Sequence, residues 1–239
     1  MVRSPRNNQL LAALPDDSYS RLAPGLELTP LPLGLVLYES GVTLESLYFP
    51  ISGIVSLLYV TDDGSSSEIA LSGNEGLVGV SLFMGGESTT SRAVVQSAGH
   101  AFRMSVPALR SEFALGGAFQ HLVLRYTQTL ITQMAQTAVC NRHHTLDQQL
   151  CRWLLLSIDR LEWRELIMTQ ELIANMLGVR REGVTEAAGR LQQAGLISYS
   201  RGRITVLKRA ALQKRVCECY AVVKNEFERL LPYELAANR

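Results

Sequence analysis

The segment from residue 169 to residue 206 restricts the fold more than any other part of the 239-residue sequence. Thr169 is a good N-cap for a predicted helix at Gln170–Leu177, which is only two turns long. Gly178 follows at the position where a left-handed C-cap residue is required, and a second helix is predicted at Arg181–Gln193. Two such helices joined by a glycine turn are typical of a helix-turn-helix unit.

The apolar residues of this segment fall on the sides of the two predicted helices that would face each other. Small Ala174 lets the helices approach closely, and branched Val184 packs underneath them. The other predicted core positions are Ile173, Leu177, Val179, Ala187, Ala188 and Leu191. The second helix keeps a polar outer face, which consists of Arg181, Glu182, Thr185, Glu186 and Gly189.

Residues 197–206 predict a short strand, a tight Arg-Gly turn and a second strand, which together form a wing. Residues 179–209 contain seven basic and two acidic side chains. Helix-turn-helix spacing also occurs in helical hairpins that do not bind DNA, but the spacing, the wing and the charge together predict binding of double-stranded DNA. The predicted phosphate contacts are Thr169, Arg180, Arg190, Arg201 and Arg203.

The formal charges are divided unequally along the chain. Residues 1–140 carry 7 basic and 11 acidic side chains, whereas residues 141–209 carry 11 basic and 7 acidic ones. A basic segment joined to an acidic front half suggests two functions and suits a polyanionic partner. The longest apolar runs fall far short of the roughly 20 residues of a membrane helix. Because the N-terminus also lacks the apolar core of a secretory signal, we expect a cytoplasmic protein without membrane contact.

The sequence does not predict an enzyme. It contains no paired carboxylates, nucleophile motif or phosphate loop placed for chemistry. The glycine-rich GNEGLVG lies between predicted strands rather than before a helix, so it does not have the context of a dinucleotide-binding loop.

The front half shows the pattern of an all-β structure. Between Leu26 and Val106, short apolar stretches alternate with Gly, Pro, Asp and Ser at spacings of about 8–12 residues, which predicts a barrel or jelly roll. Asp62-Asp63-Gly64 between Val55–Val60 and Glu68–Leu71 indicates a hairpin. A short amphipathic helix is predicted before the strands, around Asn8–Leu14.

From Ser111 to Cys140 the pattern becomes helical. Apolar residues recur at steps of three or four, at Phe119, Val123, Tyr126, Leu130, Met134 and Ala138. A long helix with one narrow apolar seam is typical of two-stranded packing and predicts a homodimer; the alternative is a helix that lies on its own β domain. Further helices are predicted at Thr145–Trp163 and Leu212–Leu231.

The four cysteines, Cys140, Cys151, Cys217 and Cys219, have no spacing typical of a zinc motif or a disulfide framework. Free thiols in a reducing compartment are expected, with a thiol-based sensor as the alternative. His143-His144 could sense pH or a metal, but adjacent residues on a helix point apart, so solvated side chains are expected. No metal site is predicted.

The sequence resembles the Crp/Fnr family of bacterial transcription regulators over nearly its whole length. The resemblance is carried by LTPLPLGLVLYESG, LYFPISGIVSL, GNEGLVGVSLFMGG and SRAVVQSAG in the front half, and by LCRWLLLSIDR and MTQELIANMLGVRREGVTEAAGRLQQAGLISYSRGRITVLKRAAL in the back half.

This resemblance implies an α+β chain with three parts. A cyclic-nucleotide-binding-like β-roll or jelly roll, with the short N-terminal helix, would occupy residues 1–110. A long dimerisation helix would occupy residues 111–144, and a winged helix-turn-helix domain with a C-terminal helix residues 145–239. The resemblance further implies a homodimer on a roughly palindromic DNA site with half-sites about one turn apart, and RNA polymerase as a further partner.

The family's cyclic-phosphate pocket contains a Gly-Glu pair near one strand end and an Arg-Ser pair a few residues later. These positions are Gly79-Val80 and Ser91-Arg92 here, and the Thr-Ser pair of the cyclic-AMP binders corresponds to Met134-Ala135. The acceptor for the ribose hydroxyl is missing, and a shift of one residue in a strand turns a side chain to the other face. The usual cyclic-AMP response is therefore not expected, although Arg92 could still hold an anion.

The sequence does not identify the effector. The iron–sulfur members of the family carry cysteines near the N-terminus, whereas no cysteine precedes Cys140 here. His100 and His121 are candidate axial haem ligands, but a lone histidine is more often a surface or hydrogen-bonded residue. No cofactor is assigned. Cyclic di-GMP, or another small ligand that releases DNA, is the alternative to a regulator without a ligand.

In the second helix of the motif, the resemblance implies base-reading roles for Arg181, Glu182 and Glu186, with Thr185 on the same face. Arg181 could contact guanine through two hydrogen bonds, and Glu182 could accept one from cytosine. Glu186 stands where the cyclic-AMP-responsive members have a basic residue, and a carboxylate cannot donate to the O6 and N7 of guanine. A half-site different from the well-known one is therefore predicted.

Overall fold

The structure is a computed structural model that describes residues 3–161 and 165–231. Its N-terminal half is built on one antiparallel sheet with the strands β1 (Leu26–Leu31), β2 (Val36–Tyr38), β3 (Ser46–Val60), β4 (Ser66–Ser72) and β5 (Arg92–Ser105). β5 pairs with β1, β2 and β3, and β3 also pairs with β4. The register of β3 against β5 shifts three times between Pro50 and Val55. Because such bulges bend a strand, the two long strands curve over an apolar core.

The hairpin predicted from Asp62-Asp63-Gly64 is confirmed. β3 and β4 pair from Val60 opposite Ser66 to Val55 opposite Ser72. Gly64 adopts a φ of +83°, which a glycine accepts without a steric penalty.

Two short helices precede the sheet, α1 (Gln9–Ala12) and α2 (Asp16–Leu22). α1 lies within the predicted helix, and α2 has no counterpart among the predictions. Asn8 caps α1 by accepting from the N–H groups of Leu10 and Leu11. Its amide donates to the carbonyl oxygens of Pro50 and Gly76, at 2.8 Å each, so the cap also fixes the helix to the sheet domain.

The helix predicted from Ser111 onwards consists of two helices, α3 (Val106–Ala114) and α4 (Ala118–His143). They are separated at Gly116, whose φ of +68° is incompatible with a continuous right-handed helix. The predicted boundary at residue 111 is therefore corrected, since the long helix begins at Ala118. α4 has 26 residues and is about 39 Å long at roughly 1.5 Å per residue.

The C-terminal half contains the helices α5 (Leu146–Ile158), α6 (Gln170–Leu177), α7 (Arg181–Gln193), α8 (Arg209–Gln213) and α9 (Cys219–Leu230). Its small antiparallel sheet consists of β6 (Glu165–Ile167), β7 (Ile197–Ser200) and β8 (Arg203–Val206), in the order β6-β8-β7. Thr145 caps α5 as predicted, and the predicted end of that helix, Trp163, lies outside the described residues. The single helix predicted at Leu212–Leu231 is instead interrupted between α8 and α9.

The two halves share one apolar core, which α4, α5 and α9 close from the C-terminal side. The rings of Tyr126 in α4 and Phe227 in α9 meet edge to face, with centroids 6.3 Å apart. Two buried polar contacts cross the same junction. Trp153 Nε1 donates to Glu68 Oε1 at 3.1 Å, and Arg160 Nε lies 2.6 Å from Glu75 Oε1.

Within the described residues, no helix combines the length and the apolar character needed to cross a membrane.

Candidate nucleic-acid interface

The two helices of the predicted helix-turn-helix have the predicted bounds, as α6 and α7. The Thr169 side chain accepts from the N–H of Leu172, and Gly178 ends α6 in the left-handed conformation with a φ of +64°. A Cβ atom at Gly178 would also lie 3.1 Å from Ser67 Oγ on β4. The left-handed turn therefore favours glycine here, and a larger residue would also crowd the Ser67 side chain of the sheet domain.

α7 presents one buried face and one exposed face. The predicted core residues on the buried face are at most 3% exposed; they are Val184, Ala187, Ala188 and Leu191. The exposed face carries all four side chains that were predicted to read bases: Arg181, Glu182, Thr185 and Glu186. Because the buried face fixes the rotation of the helix, these four side chains point away from the protein.

Two exposed residues of α7 already have partners within the chain. The Thr185 hydroxyl lies 2.8 Å from Gln170 Oε1 and 3.0 Å from the carbonyl oxygen of Arg181. Arg190 forms a forked ion pair with Asp147 at the start of α5, with a shortest distance of 2.6 Å, and also lies 3.7 Å from Glu186. A phosphate contact by Arg190 would therefore compete with the carboxylate of Asp147.

The wing is formed by β7 and β8. Arg201 and Gly202 make its turn, with φ values of +50° and +73°. Arg201 is exposed at the tip, whereas Arg203 on β8 pairs with Glu165 on β6 at 2.6 Å. The N–H of Met168 donates to the carbonyl oxygen of Gly202 at 2.7 Å, so the wing turn lies beside the N-terminus of α6. The sequence did not predict β6, the strand that carries Glu165, the partner of Arg203.

Two known domain families match separate parts of the chain. The cyclic nucleotide-binding domain family matches residues 28–114, and the Crp-like helix-turn-helix domain family matches residues 148–215. This chain belongs to the Crp/Fnr family. It is a DNA-binding transcription regulator of that type.

Several solved structures share the fold. A protein from Eubacterium rectale assigned to the family is 18% identical, with a TM-score of 0.69 over 88% of this chain and 98% of its own. FixK2 from Bradyrhizobium japonicum is 15% identical, with a TM-score of 0.66 over 80% of this chain and 98% of its own. The c-di-GMP responsive global regulator CLP from Xanthomonas campestris is 15% identical, with a TM-score of 0.60 over 80% of this chain and 99% of its own. A comparison with curated protein sequences gave no match.

The apolar seam predicted to join two Crp/Fnr subunits lies inside the chain. Its residues are Phe119, Val123, Tyr126, Leu130 and Met134; the first four are at most 2% exposed, and Met134 packs partly buried against the same core. The Tyr126 hydroxyl donates to the carbonyl oxygen of Leu77 at 3.0 Å, and a Cβ at Gly76 would lie 2.4 Å from the Tyr126 ring. The assignment of these residues to a subunit interface is corrected. The helical period identified an apolar face but not its partner, which is the chain's own sheet domain.

The residues predicted for an effector pocket lie in three places. Gly79 and Val80 begin a single 3-10 turn beside the start of β3, and Met134 lies on α4. Ser91 is buried, with its hydroxyl 3.1 Å from that of Thr89.

Arg92 begins β5, and its Nε lies 3.1 Å from Glu39 Oε1. The side chain is 37% exposed, and its charge already has a carboxylate partner. An anionic ligand would have to displace that partner.

Glu68 at the domain junction carries the largest perturbation of a carboxyl group in the sheet domain. It is 7% exposed on β4, and burial raises its pKa to about 7, although hydrogen bonds from Ser56 and Trp153 and the charge of Arg152 oppose the rise. Nothing in the sequence pattern around Glu68 predicted its burial or its raised pKa.

The fold also brings together side chains that sequence spacing kept apart. Cys140 and His144 at the end of α4 meet Cys217 and Cys219 at the start of α9, and their ligand atoms all lie within 4.8 Å of one another. The available signals were Cys-x3-His and Cys-x-Cys, but Cys140 and Cys217 are 77 positions apart. Only the packing of α9 on α4 makes one cluster of them.

Proposed function

We propose that this regulator binds DNA sequence-specifically as a homodimer, with each winged helix on one half of a roughly palindromic site. The observation that carries the proposal is the outer face of α7, where Arg181, Glu182 and Glu186 are exposed while the opposite face is buried. In this proposal Arg181 contacts guanine and Glu182 accepts from cytosine in the major groove. Glu186 excludes guanine at its own position, so the half-site differs from that of members with a basic residue there.

The phosphate contacts in this proposal differ in strength. Arg180, Arg201 and Thr169 lie at the rim of the interface, at the N-terminus of α7, at the wing tip and at the N-terminus of α6. Arg190 and Arg203 contribute less, because each must loosen an ion pair first.

A second face of α4 is the proposed dimer seam. It carries large apolar side chains that are 44–56% exposed, namely Leu124, Ile131 and Val139. Exposed Ala135 lies between them on the same side of the helix. An apolar stripe of this kind, at steps of seven, four and four residues, suits packing against the same stripe of a second copy.

The dimer seam is tested by Ile131→Asp. A buried charge in the seam is expected to convert the dimer to a monomer in light scattering at micromolar concentration, and to remove cooperative binding of a palindrome. Thr132→Asp adds the same charge one position along, on the half-exposed flank of the helix, and serves as the matched control. A dimeric Ile131→Asp variant would place the subunit contact elsewhere.

The sheet domain is proposed as a sensor, or a former sensor, that does not respond to cyclic AMP. The support is the Val80 turn, which lacks a carboxylate, and the ion pair between Arg92 and Glu39. The alternative is a small ligand that releases DNA. Cyclic di-GMP is the specific candidate, because a regulator of the same fold responds to it. RNA polymerase as a partner stays a prediction.

The decisive experiment is binding of the ligand-free protein to fragmented genomic DNA of its host at about physiological salt, followed by sequencing of the retained DNA. Enrichment of one palindrome supports the proposal and means that the ligand-free dimer is already competent. Release of that DNA by cyclic di-GMP, but not by cyclic AMP, would select the alternative sensor. Retention without sequence preference, with and without both nucleotides, would contradict a sequence-specific regulator.

A further inference from the structure

The end of α4 and the start of α9 bring together a compact group of three thiols and one imidazole. Cys140, Cys217 and Cys219 are at most 4% exposed, and the His144 side chain is 13% exposed. Cys140 Sγ lies 3.6 Å from Cys217 Sγ, and Cys219 Sγ lies 3.6 Å from His144 Nδ1. The group forms its own small cluster beside Val216, apart from the main apolar core.

Two separations within the cluster match those of a tetrahedral site around one metal ion. With Zn–S bonds of about 2.3 Å and Zn–N bonds of about 2.0–2.1 Å, tetrahedral geometry places two sulfurs about 3.8 Å apart and a sulfur and a nitrogen about 3.6 Å apart. Both short distances in the cluster are close to these values. Three cysteines and one histidine are also a ligand set of structural zinc sites.

The local backbone explains how four ligands reach one point. Cys140 and His144 are four residues apart, and the N–H of His144 still donates to the carbonyl oxygen of Cys140 at 3.0 Å, so both side chains leave the same side of the helix end. His143 belongs to the helix and is exposed, whereas His144 is extended and turns inward. Cys217 and Cys219 flank Glu218, at the point where α9 begins.

The outer contacts of the cluster are those of a ligated histidine. Nδ1 of His144 faces Cys219, and Nε2 lies 3.3 Å from Glu218 Oε1. Histidines that bind metal usually donate their second ring N–H to a carboxylate, which fixes the tautomer and orients the ring. Glu218 therefore holds Nδ1 of His144 toward the three sulfurs.

A buried cation beside the cluster fits the charge of a zinc-thiolate group. Three thiolates, one neutral imidazole and Zn²⁺ sum to one negative charge. Arg152 on α5 is 6% exposed and contacts α4 at Thr137, one turn before Cys140. Its Nη2 donates to Thr137, but among the described residues Nε and Nη1 have no hydrogen-bond partner. Glu68 also lies near Arg152, and a second anionic group beside the buried guanidinium would stabilise it further.

We propose that Cys140, His144, Cys217 and Cys219 bind one Zn²⁺ per chain. The ion fastens the start of α9 to the end of α4, directly before Thr145 and the DNA-binding domain. The site is thus a metal clamp at the hinge between the long helix and the winged helix. The proposal of a zinc site does not depend on the proposed DNA half-site or on the proposed dimer.

The test uses the full-length protein purified under reducing conditions, with zinc measured by mass spectrometry after acid digestion. About one zinc per chain is expected in the wild type, and less than about a tenth in Cys217→Ala. Cys151→Ala is the matched control, because Cys151 is equally buried but lies outside the cluster. Replacement of zinc by Co²⁺ is expected to give the visible bands of a tetrahedral thiolate site, which shift in His144→Ala as a nitrogen ligand is lost.

Thermal unfolding of the wild type keeps the test valid if a cysteine variant does not fold. A strong chelator is expected to lower the midpoint, and added Zn²⁺ to restore it, since an ion bound only by the native state stabilises it. Purified protein that holds no metal and takes up neither Zn²⁺ nor Co²⁺ when reduced would overturn the proposal. So would a disulfide between Cys140 and Cys217 in metal-free protein, an iron–sulfur cluster in place of zinc, or equal zinc loss in Cys151→Ala.

Discussion

The winged-helix domain has two polar surfaces with opposite properties. On its outer side, Arg181 and Glu182 are exposed and project from a helix whose other face is buried. On its inner side, Arg160 and Glu75 form an ion pair in which the side chains are only 5% and 7% exposed. Exposed polar groups are available to a ligand, whereas buried ones have already exchanged water for each other. Substitutions should therefore change binding on the first surface and stability on the second.

The largest effect is expected from Glu75→Ala. The substitution leaves the Arg160 guanidinium buried without its carboxylate, although Nη1 still donates to the carbonyl oxygen of Leu156 at 2.7 Å. Breaking a buried pair by removing one partner typically costs about 3–5 kcal/mol. Urea denaturation should show a loss of that size in the free energy of unfolding.

An exposed pair on the same chain provides the control. Arg103 and Glu27 lie 2.8 Å apart with side chains 46% and 67% exposed. Glu27→Ala should change the free energy of unfolding far less than Glu75→Ala, because the Arg103 guanidinium that remains is already in contact with water. Equal losses in Glu75→Ala and Glu27→Ala would contradict the distinction between the buried and the exposed surface.

The second prediction concerns pH and Glu68. Burial raises its pKa to about 7 from an ordinary 4.5, so between these values the native state holds a proton that the unfolded state has released. Stability should therefore fall as pH rises from about 4.5 to about 7, by on the order of 3 kcal/mol in total. Glu68→Gln keeps an acceptor for Trp153 but carries no charge, and should lose this component of the pH dependence.

Urea denaturation at several pH values from 5 to 8 tests this for the wild type and Glu68→Gln. Glu182→Gln, which alters an exposed carboxylate on α7, should keep the pH slope of the wild type. Identical slopes in the wild type and Glu68→Gln would show that Glu68 is ionised in the native state throughout this range.

The two surfaces also differ in how well the sequence predicts them. The bounds of α6 and α7 follow from the Thr169 cap and the Gly178 turn, which act within a few residues and so can be recognised locally. The outer face of α7 then follows from the helical period. The positions of the residues proposed to contact DNA were therefore predictable, although the pairing of Arg203 with Glu165 depended on an unpredicted strand.

The inner surface depends on contacts between distant segments. The apolar period of α4 was identified correctly, yet Tyr126 packs against Gly76 rather than a second subunit, because periodicity contains no information about the partner. Glu68 and Trp153 are 85 positions apart, and the three clustered cysteines come from two helix ends. No local spacing rule could combine them.

On the outer surface, Arg181→Ala should weaken DNA binding by about 1–3 kcal/mol and relax the preference at one base pair of each half-site. The reason is that a bidentate arginine discriminates guanine from other bases. Binding to a panel of half-site variants, measured by fluorescence anisotropy, gives the preference at each position. A uniform loss on all sequences would assign Arg181 to a phosphate instead.

The smallest effect is expected from the wing. Arg201→Ala should weaken binding similarly on all sequences and reduce the slope of log K against log salt by about 0.9 per subunit, since one phosphate contact is lost. Arg203→Ala should reduce the slope less, because Glu165 already neutralises part of its charge in the free protein. Titrations at four or more salt concentrations on specific and unrelated duplexes measure both slopes. Unchanged slopes in both variants would remove the wing from the interface, and a larger change for Arg203 would mean that DNA displaces Glu165.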